Sequence, residues 1–148
     1  AGGENPEFIA RRLVILASED IGNANPNALN LATSTMVAVS KIGYPESRII
    51  LSQCVIYLAC SPKSNTAYNA INKALDSVKQ GCILPIPKHI MPEAQKYLYP
   101  HDFGGWVEQN YLEDAKEPLE FVESTTKGFE KTLNEWLSKI KNIREKNE

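Results

Sequence analysis

The sequence predicts an all-α fold, a compact helical bundle with a Pro- and aromatic-rich extended arm and a long C-terminal helix. Three observations carry it. Asn-Pro start signals recur at Asn5-Pro6 and Asn25-Pro26, with apolar residues at helical spacing after each. Gly22, Gly43 and Gly81 close the periodic stretches. Pro85, Pro87, Pro92 and Pro100 then rule out a long helix between residues 82 and 105. The 148 residues fit a single domain with a helical core at 5–81, an arm at 82–123 and a helix at 124–146.

In the first helix Asn5 is the cap, Pro6 the first helical position and Glu7 an acid in the positive first turn. Phe8 or Ile9, then Leu13, Leu16 and Ala17, form its stripe. In the second, Asn27, Asn30, Ser34 and Lys41 share one face, and Ala28, Leu29, Ala32, Met36 and Val39 share another. Pro45 opens a third helix, in which Ile49, Ile50, Leu51, Val55, Ile56, Tyr57 and Leu58 surround the axis, so it is expected at the buried centre. Pro62 opens a fourth, with Tyr68, Ile71, Leu75 and Val78 aligned. Such capped helices with short links predict a bundle of neighbours.

Beyond Gly104-Gly105, Trp106–Tyr111 reads as either a short strand or an extended arm, and Phe121–Glu123 as another short strand. Ser124 is the expected cap of the last helix. Phe129, Leu133, Trp136, Ile140 and Ile143 form a heptad-like seam there, too short for an independent coiled coil. The seam predicts packing against the domain or a neighbouring subunit, with Trp136 losing most of its water contact. Glu135 and Lys139 make an i,i+4 pair in the favourable order.

Composition bounds the function. Hydrophobic residues at 43% and charged residues at 23% are globular values, and a net charge of −2 gives no general pull toward nucleic acid. Cys54, Cys60 and Cys82 are odd in number and lack C-x-x-C spacing, so they read as buried reduced thiols of a cytosolic protein. No apolar run reaches the roughly 18 residues of a membrane span, and no signal peptide is evident. The opening Ala1-Gly-Gly-Glu-Asn-Pro6 has no initiator Met and reads as a link between helices, which predicts a piece of a longer chain.

Few residues suggest chemistry. Arg11 and Arg12 with Glu19 and Asp20 read as an ion-pair network orienting helices or subunits, or as a phosphate sensor. Arg12 and Glu19 are two helical turns apart and share a face. His89 and His101 are the only histidines, and His101-Asp102 alone seldom makes a metal site. Lys63-Ser64-Asn65 reads as a phosphate-contacting loop or a first helical turn. Tyr97, Tyr99, Phe103, Trp106 and Tyr111, near Lys88 and Lys96, read as a wrapping arm that buries its aromatics, or as a base-stacking platform. No phosphate cradle of the GxxxxGK[ST] kind is present. A packing and assembly module is favoured over an enzyme.

In this order, Ala10-Arg-Arg-Leu13, Ala17-Ser-Glu-Asp-Ile-Gly22, Pro26-Asn-Ala-Leu-Asn-Leu-Ala32, Gly43-Tyr-Pro-Glu46, Pro62-Lys-Ser-Asn65, Ala67-Tyr68, Leu84-Pro-Ile-Pro87, His101-Asp102, Gly105-Trp-Val-Glu-Gln109 and Tyr111-Leu112 resemble a known region. It is the C-terminal region of the RarA (MgsA) family of bacterial replication-associated recombination proteins. These are AAA+ ATPases related to the Werner helicase-interacting protein. The resemblance covers residues 4–112 strongly and the rest loosely. Two departures stand out. The chain begins after a helical hairpin that the family carries, and Ile90–Lys96 is shorter than the family's segment before the aromatic arm.

The resemblance implies a clamp-loader-like collar that holds subunits in a ring, reported for the family as a tetramer. It implies a parent with an N-terminal ATPase domain using ATP and Mg, acting at stalled forks on DNA ends and junctions, in the bacterial cytoplasm near the nucleoid. Replication-fork proteins are implied partners, a membrane is not, and no cofactor is expected in this chain. The expected role is non-catalytic oligomerisation, with Arg11, Arg12, Glu19, Asp20, Trp106 and Trp136 as structural or assembly residues. The other reading is a DNA- or partner-binding module using the arm at 97–111.

Overall fold

The computed structural model describes residues 2–82, 84–92, 97–112 and 119–146, with side chains described as far as Ile140. It is all-α. Helix α1 runs Pro6–Leu16, α2 Asn27–Ile42, α3 Ser47–Cys60, α4 Thr66–Lys79 and α5 Glu130–Lys146. A π-helical turn, Ala17–Ile21, and a 3-10 turn, Gly22–Ala24, join α1 to α2. Among the described residues there is no strand. The short strands considered at 106–111 and 121–123 do not form. Instead, the Gln109 side chain takes the place of a strand partner. Its Nε2 donates to Leu98 O at 2.9 Å and its Oε1 accepts from Leu98 N at 3.3 Å.

The start of α1 is as its sequence specifies. Asn5 Oδ1 accepts from Glu7 N at 2.7 Å and from Phe8 N at 3.4 Å. Ile9, not the exposed Phe8, packs inward. Asn25 behaves differently. No side chain caps α2. Asn25 Nδ2 instead donates to Tyr57 Oη at 3.1 Å and to Ser61 Oγ at 3.0 Å, while Asn27 Nδ2 reaches the same phenol at 3.2 Å. Asn27 first, then Asn25, hold the Tyr57 phenol below its ordinary 10.0. The Asn-Pro-Asn signal therefore ties the start of α2 to the end of α3.

Helices α1, α2 and α3 form the bundle, each in contact with the other two. Its interior is built of small residues. Ala17, Ala28, Ala32, Cys54, Ile21 and Leu58 form one buried cluster, and Ala10, Val39 and Leu51 another. Alanines on facing helices allow close approach, with the partly buried Leu13 and Leu16 filling the flanks. Helix α3 is not the buried centre. Only the Ser47, Leu51, Cys54 and Leu58 face is buried, and Ile49, Val55 and Ile56 are exposed on the outside. A helix apolar on every side is buried only where partners exist on every side. Cys54 is buried, but Cys60 is exposed and Cys82 half-buried, so the expectation of three buried thiols holds at one position.

The start of α4 lies at Thr66 rather than Pro62. Lys63 explains the delay. Its Nζ folds back to donate to Leu58 O at 2.7 Å and Ser61 O at 2.6 Å, covering open carbonyls at the end of α3. That engagement also answers the phosphate-loop reading of Lys63–Asn65. Helix α4 meets the bundle at the π turn and the 3-10 turn rather than along its length.

The last helix begins at Glu130, not at Ser124. Thr125 Oγ1 accepts from Lys127 N at 3.2 Å in a local turn, and Gly128 has φ +53°, which no helix continues through. Phe129 N then donates to Ala24 O at 2.8 Å. Gly128 is packed so closely that a Cβ there would stand 2.1 Å from Ala24 O and 2.8 Å from Pro62 Cγ.

Gly128→Ala is therefore expected to lower stability by at least about 2 kcal/mol, through a positive φ and a backbone collision together. Gly43→Ala is the comparison, because Gly43 has φ +72° but nothing within 4 Å of an added Cβ. It should cost only the conformational strain, about 1 kcal/mol. Denaturant melts of the two variants check the difference, and equal losses would contradict the close packing of Gly128.

Candidate assembly surface

The large apolar side chains of this protein stand on its outside. On α4, Tyr68, Ile71, Leu75 and Val78 follow helical spacing, and all four are exposed, Ile71 and Val78 each at 55%. A groove of about 550 Å³ adjoins them, lined by Val14 and Ile15 of α1, Leu29 of α2 and Tyr68 and Ile71 of α4. Glu19, carried on the π turn, also lines it. On the far side of α3, Ile49 and Ile56 frame a second concavity beside Arg48 and Gln53. The total exposed surface is 11048 Å². A compact monomer of 16.5 kDa exposes about 7,500 Å². The excess of about 3,500 Å² lies in the range of an obligate interface.

The α5 anchor is a buried carboxylate. Glu130 is 4% exposed. Ser64 Oγ donates to its Oε1 at 2.7 Å, and Thr125 Oγ1 donates to its Oε2. The Thr66 hydroxyl, with one proton to give, stands 2.8 Å from Ser64 Oγ and 3.3 Å from Glu130 Oε2. Desolvation pushes the Glu130 carboxyl upward, but the hydroxyls of Thr125, Ser64 and Thr66 together hold it below its ordinary 4.5. Bonds to an ionised acceptor are about twice as strong as neutral ones. The chain thus buries an anion without a cation, on hydroxyl donors from two segments 60 residues apart.

Beyond this anchor the seam of α5 is open. Trp136 is 51% exposed, and Leu137 and Ile140 are exposed with it. Within its own chain Trp136 keeps its water contact, contrary to the packing expected from the seam. The reason is geometric, since α5 leaves the bundle after its first turn and runs beside no other described helix. Phe129 meets the Trp136 ring edge-on at 5.6 Å. The side chains of Ile143 and Lys141 lie outside the described residues.

Arg11, Arg12, Glu19 and Asp20 are all exposed, and among the described residues no ion pair joins them. The network expected within the chain is absent because the π turn displaces Glu19 and Asp20 from an uninterrupted α-helical register with the arginines. The Glu135–Lys139 pair is likewise not formed. The ion pairs among the described residues are Lys73–Glu123 and Asp76–Lys79, both on the surface and worth little.

In the arm, Trp106 is half-buried, while Tyr97, Tyr99, Phe103 and Tyr111 are exposed. The arm does not bury its aromatics. Gln109 holds it in a closed loop, adding a bond to Tyr111 Oη at 2.9 Å. His101 lies against Tyr99 with ring centroids 5.0 Å apart, and His89 is half-buried. Lys96 lies outside the described residues. Among the described residues, no group of three or more His, Cys, Asp and Glu side chains is placed to hold a metal, and no helix is long and apolar enough to cross a membrane.

Sequence reasoning missed Glu130, Ser64, Thr66, Thr125 and Gln109. The hydroxyl residues read as ordinary loop composition, and nothing local marks a glutamate in a first helical turn as buried.

Comparison with known proteins fits this architecture. Residues 1–141 match the family described as MgsA AAA+ ATPase C terminal. The chain is 38% identical to Replication-associated recombination protein A of Bacillus subtilis over 90% of its own length and 35% of the relative's. It is 32% identical to the protein of that name from Haemophilus influenzae, over 95% of its own length and 34% of the relative's. An uncharacterized protein of Thermotoga maritima is 42% identical over 93% of this chain and 24% of its own length. The chain thus spans about a quarter to a third of the relatives it matches.

Acid titration tests the Glu130 anchor. Its folded-state value is lowered, so the stability it contributes is present above the ordinary 4.5 and is lost as pH falls through the lower folded value. Glu130→Gln should be less stable than the parent at neutral pH, by about 1–3 kcal/mol. The gap should narrow as pH drops below 4.5. A gap independent of pH would show that the carboxylate charge is not what the hydroxyls hold.

Proposed function

The chain belongs to the C-terminal family of the MgsA AAA+ ATPases, and we propose that within it this chain is a non-catalytic oligomerisation domain. The observation that carries the reading is the distribution of apolar surface. A bundle cored with alanine exposes Ile71, Leu75, Val78, Ile49 and Ile56 together with about 3,500 Å² beyond a compact monomer's surface. Copies of the domain then hold the parent's ATPase domains in a ring, taken as a tetramer. The parent binds ATP and Mg in its N-terminal domain and acts on DNA during replication, recombination and repair at stalled forks. Replication-fork proteins are its further partners, and the bacterial cytoplasm near the nucleoid is its place. In this reading Arg11, Arg12, Glu19 and Asp20 are free to meet a neighbouring copy, and Trp106 and Trp136 are contact residues.

A second reading rests on one observation. Tyr97, Tyr99, Phe103 and Tyr111 stand exposed on a loop closed by Gln109, as a surface for DNA bases or a partner protein. Anisotropy with a labelled single strand at rising salt tests the DNA form. Binding that falls with salt and disappears in Tyr99→Ala/Phe103→Ala supports it. Absence of binding at low salt removes it.

The assembly reading is tested by sedimentation equilibrium of the chain at tens of micromolar. A mass above 16.5 kDa that grows with concentration is the expected result. A strict monomer across that range overturns the proposal.

A further inference from the structure

The groove bounded by α1, α2 and α4 is concave and apolar, and the free face of α5 is a convex apolar ridge. We infer that α5 of one copy of this chain lies in the groove of the next. The inference rests on the self-association proposed above and adds which surfaces meet.

Helix α5 is fastened to its own bundle only near its start. Glu130 is held by Ser64 and Thr125, Phe129 N by Ala24 O, and Asn134 Nδ2 donates to Thr125 O at 2.7 Å. The rest of this 17-residue helix, about 25 Å long overall, runs beside no other described helix. A single helix of that length is marginal in water without an apolar face to cover. Trp136, Leu137 and Ile140 supply such a face, and nothing in their own chain covers it. The groove has the opposite need. Two concave surfaces cannot fill each other, so Ile15, Leu29 and Ile71 call for a ridge.

Charge and area agree with a second copy as the occupant. Glu19 lines the groove and has no ion-pair partner among the described residues. Lys139 stands one turn from Trp136 and is equally unpaired. The surplus of about 3,500 Å² over a compact monomer falls within the 2,000–5,000 Å² of obligate interfaces. A groove-to-ridge contact is heterologous, since each copy gives a ridge to one neighbour and a groove to the other. Such contacts close into rings when the rotation allows.

Mixing two damaged chains tests the pairing. Ile71→Asp spoils the groove and leaves the ridge, and Trp136→Asp spoils the ridge and leaves the groove. Both side chains are exposed, so both variants should keep the parent's circular dichroism and melting curve. Ile15→Asp serves as a second groove variant if Ile71→Asp unfolds. Each variant alone should sediment at 16.5 kDa, and an equimolar mixture should give a complex of two chains that grows no further. A mixture that stays monomeric, or either variant alone assembling like the parent, overturns the inference and leaves the assembly reading standing. A parent chain that is monomeric, with Trp136 shielded from iodide by its own groove, overturns both.

Discussion

Small residues in the core set everything else in this structure. Ala10, Ala17, Ala28 and Ala32 are fully or almost fully buried, and Ser47 and Cys54 complete the inner faces. Side chains this small let α1, α2 and α3 approach closely, but each buries little apolar area, and hydrophobic stabilisation scales with that area. The chain does hold larger aliphatic residues in number. It places them outward on α2, α3, α4 and α5. A domain with this allocation has part of its hydrophobic free energy still uncollected as a single copy, which is the physical basis for reading it as an assembly element.

The junction around Gly128 is the second determinant. Gly22, Ala24, Ser64, Thr66 and Glu130 come from three separate stretches of sequence and meet within hydrogen-bond reach. Ser64 is central to it. Its carbonyl would stand 2.9 Å from a Cβ on Gly22, and its hydroxyl donates to Glu130. The turn after α1, the loop before α4 and the start of α5 are thereby one packed unit. The direction in which α5 leaves the bundle is fixed by that unit, because no later part of the helix touches another described helix.

Local chemistry was legible in the sequence and long-range geometry was not. The Asn5 cap, the closing glycines and the helical periods correctly predict the all-α class, because caps and periods act within a few residues. Boundaries fail where a distant group intervenes. Lys63 folding onto α3 delays α4, and the contact of Gly128 with Ala24 delays α5. The third helix was misplaced for a different reason. Periodicity reports that a face is apolar, and it cannot report whether the cover comes from the same chain or another. Ile56, at 62% exposed, and Trp136 carry that ambiguity. Glu130 was invisible because its partners, Ser64 and Thr66, lie more than 60 positions away.

The π turn at Ala17–Ile21 has a consequence for what sequence changes this lineage can accept. A π turn holds its residues at a wider winding than the α-helix before it, so it behaves as a phase adjuster between α1 and Gly22. Removing one residue would let the segment rewind as ordinary α-helix and would rotate all that follows by about 100°. Ile21, now 0% exposed, would swing out of the core, and Gly22 would leave its seat against Ser64. Ser18, Glu19 and Asp20 are exposed and tolerate exchange of side chain, yet their number is fixed. At these positions a substitution is cheap and a single-residue deletion is not, the reverse of what surface loops ordinarily permit.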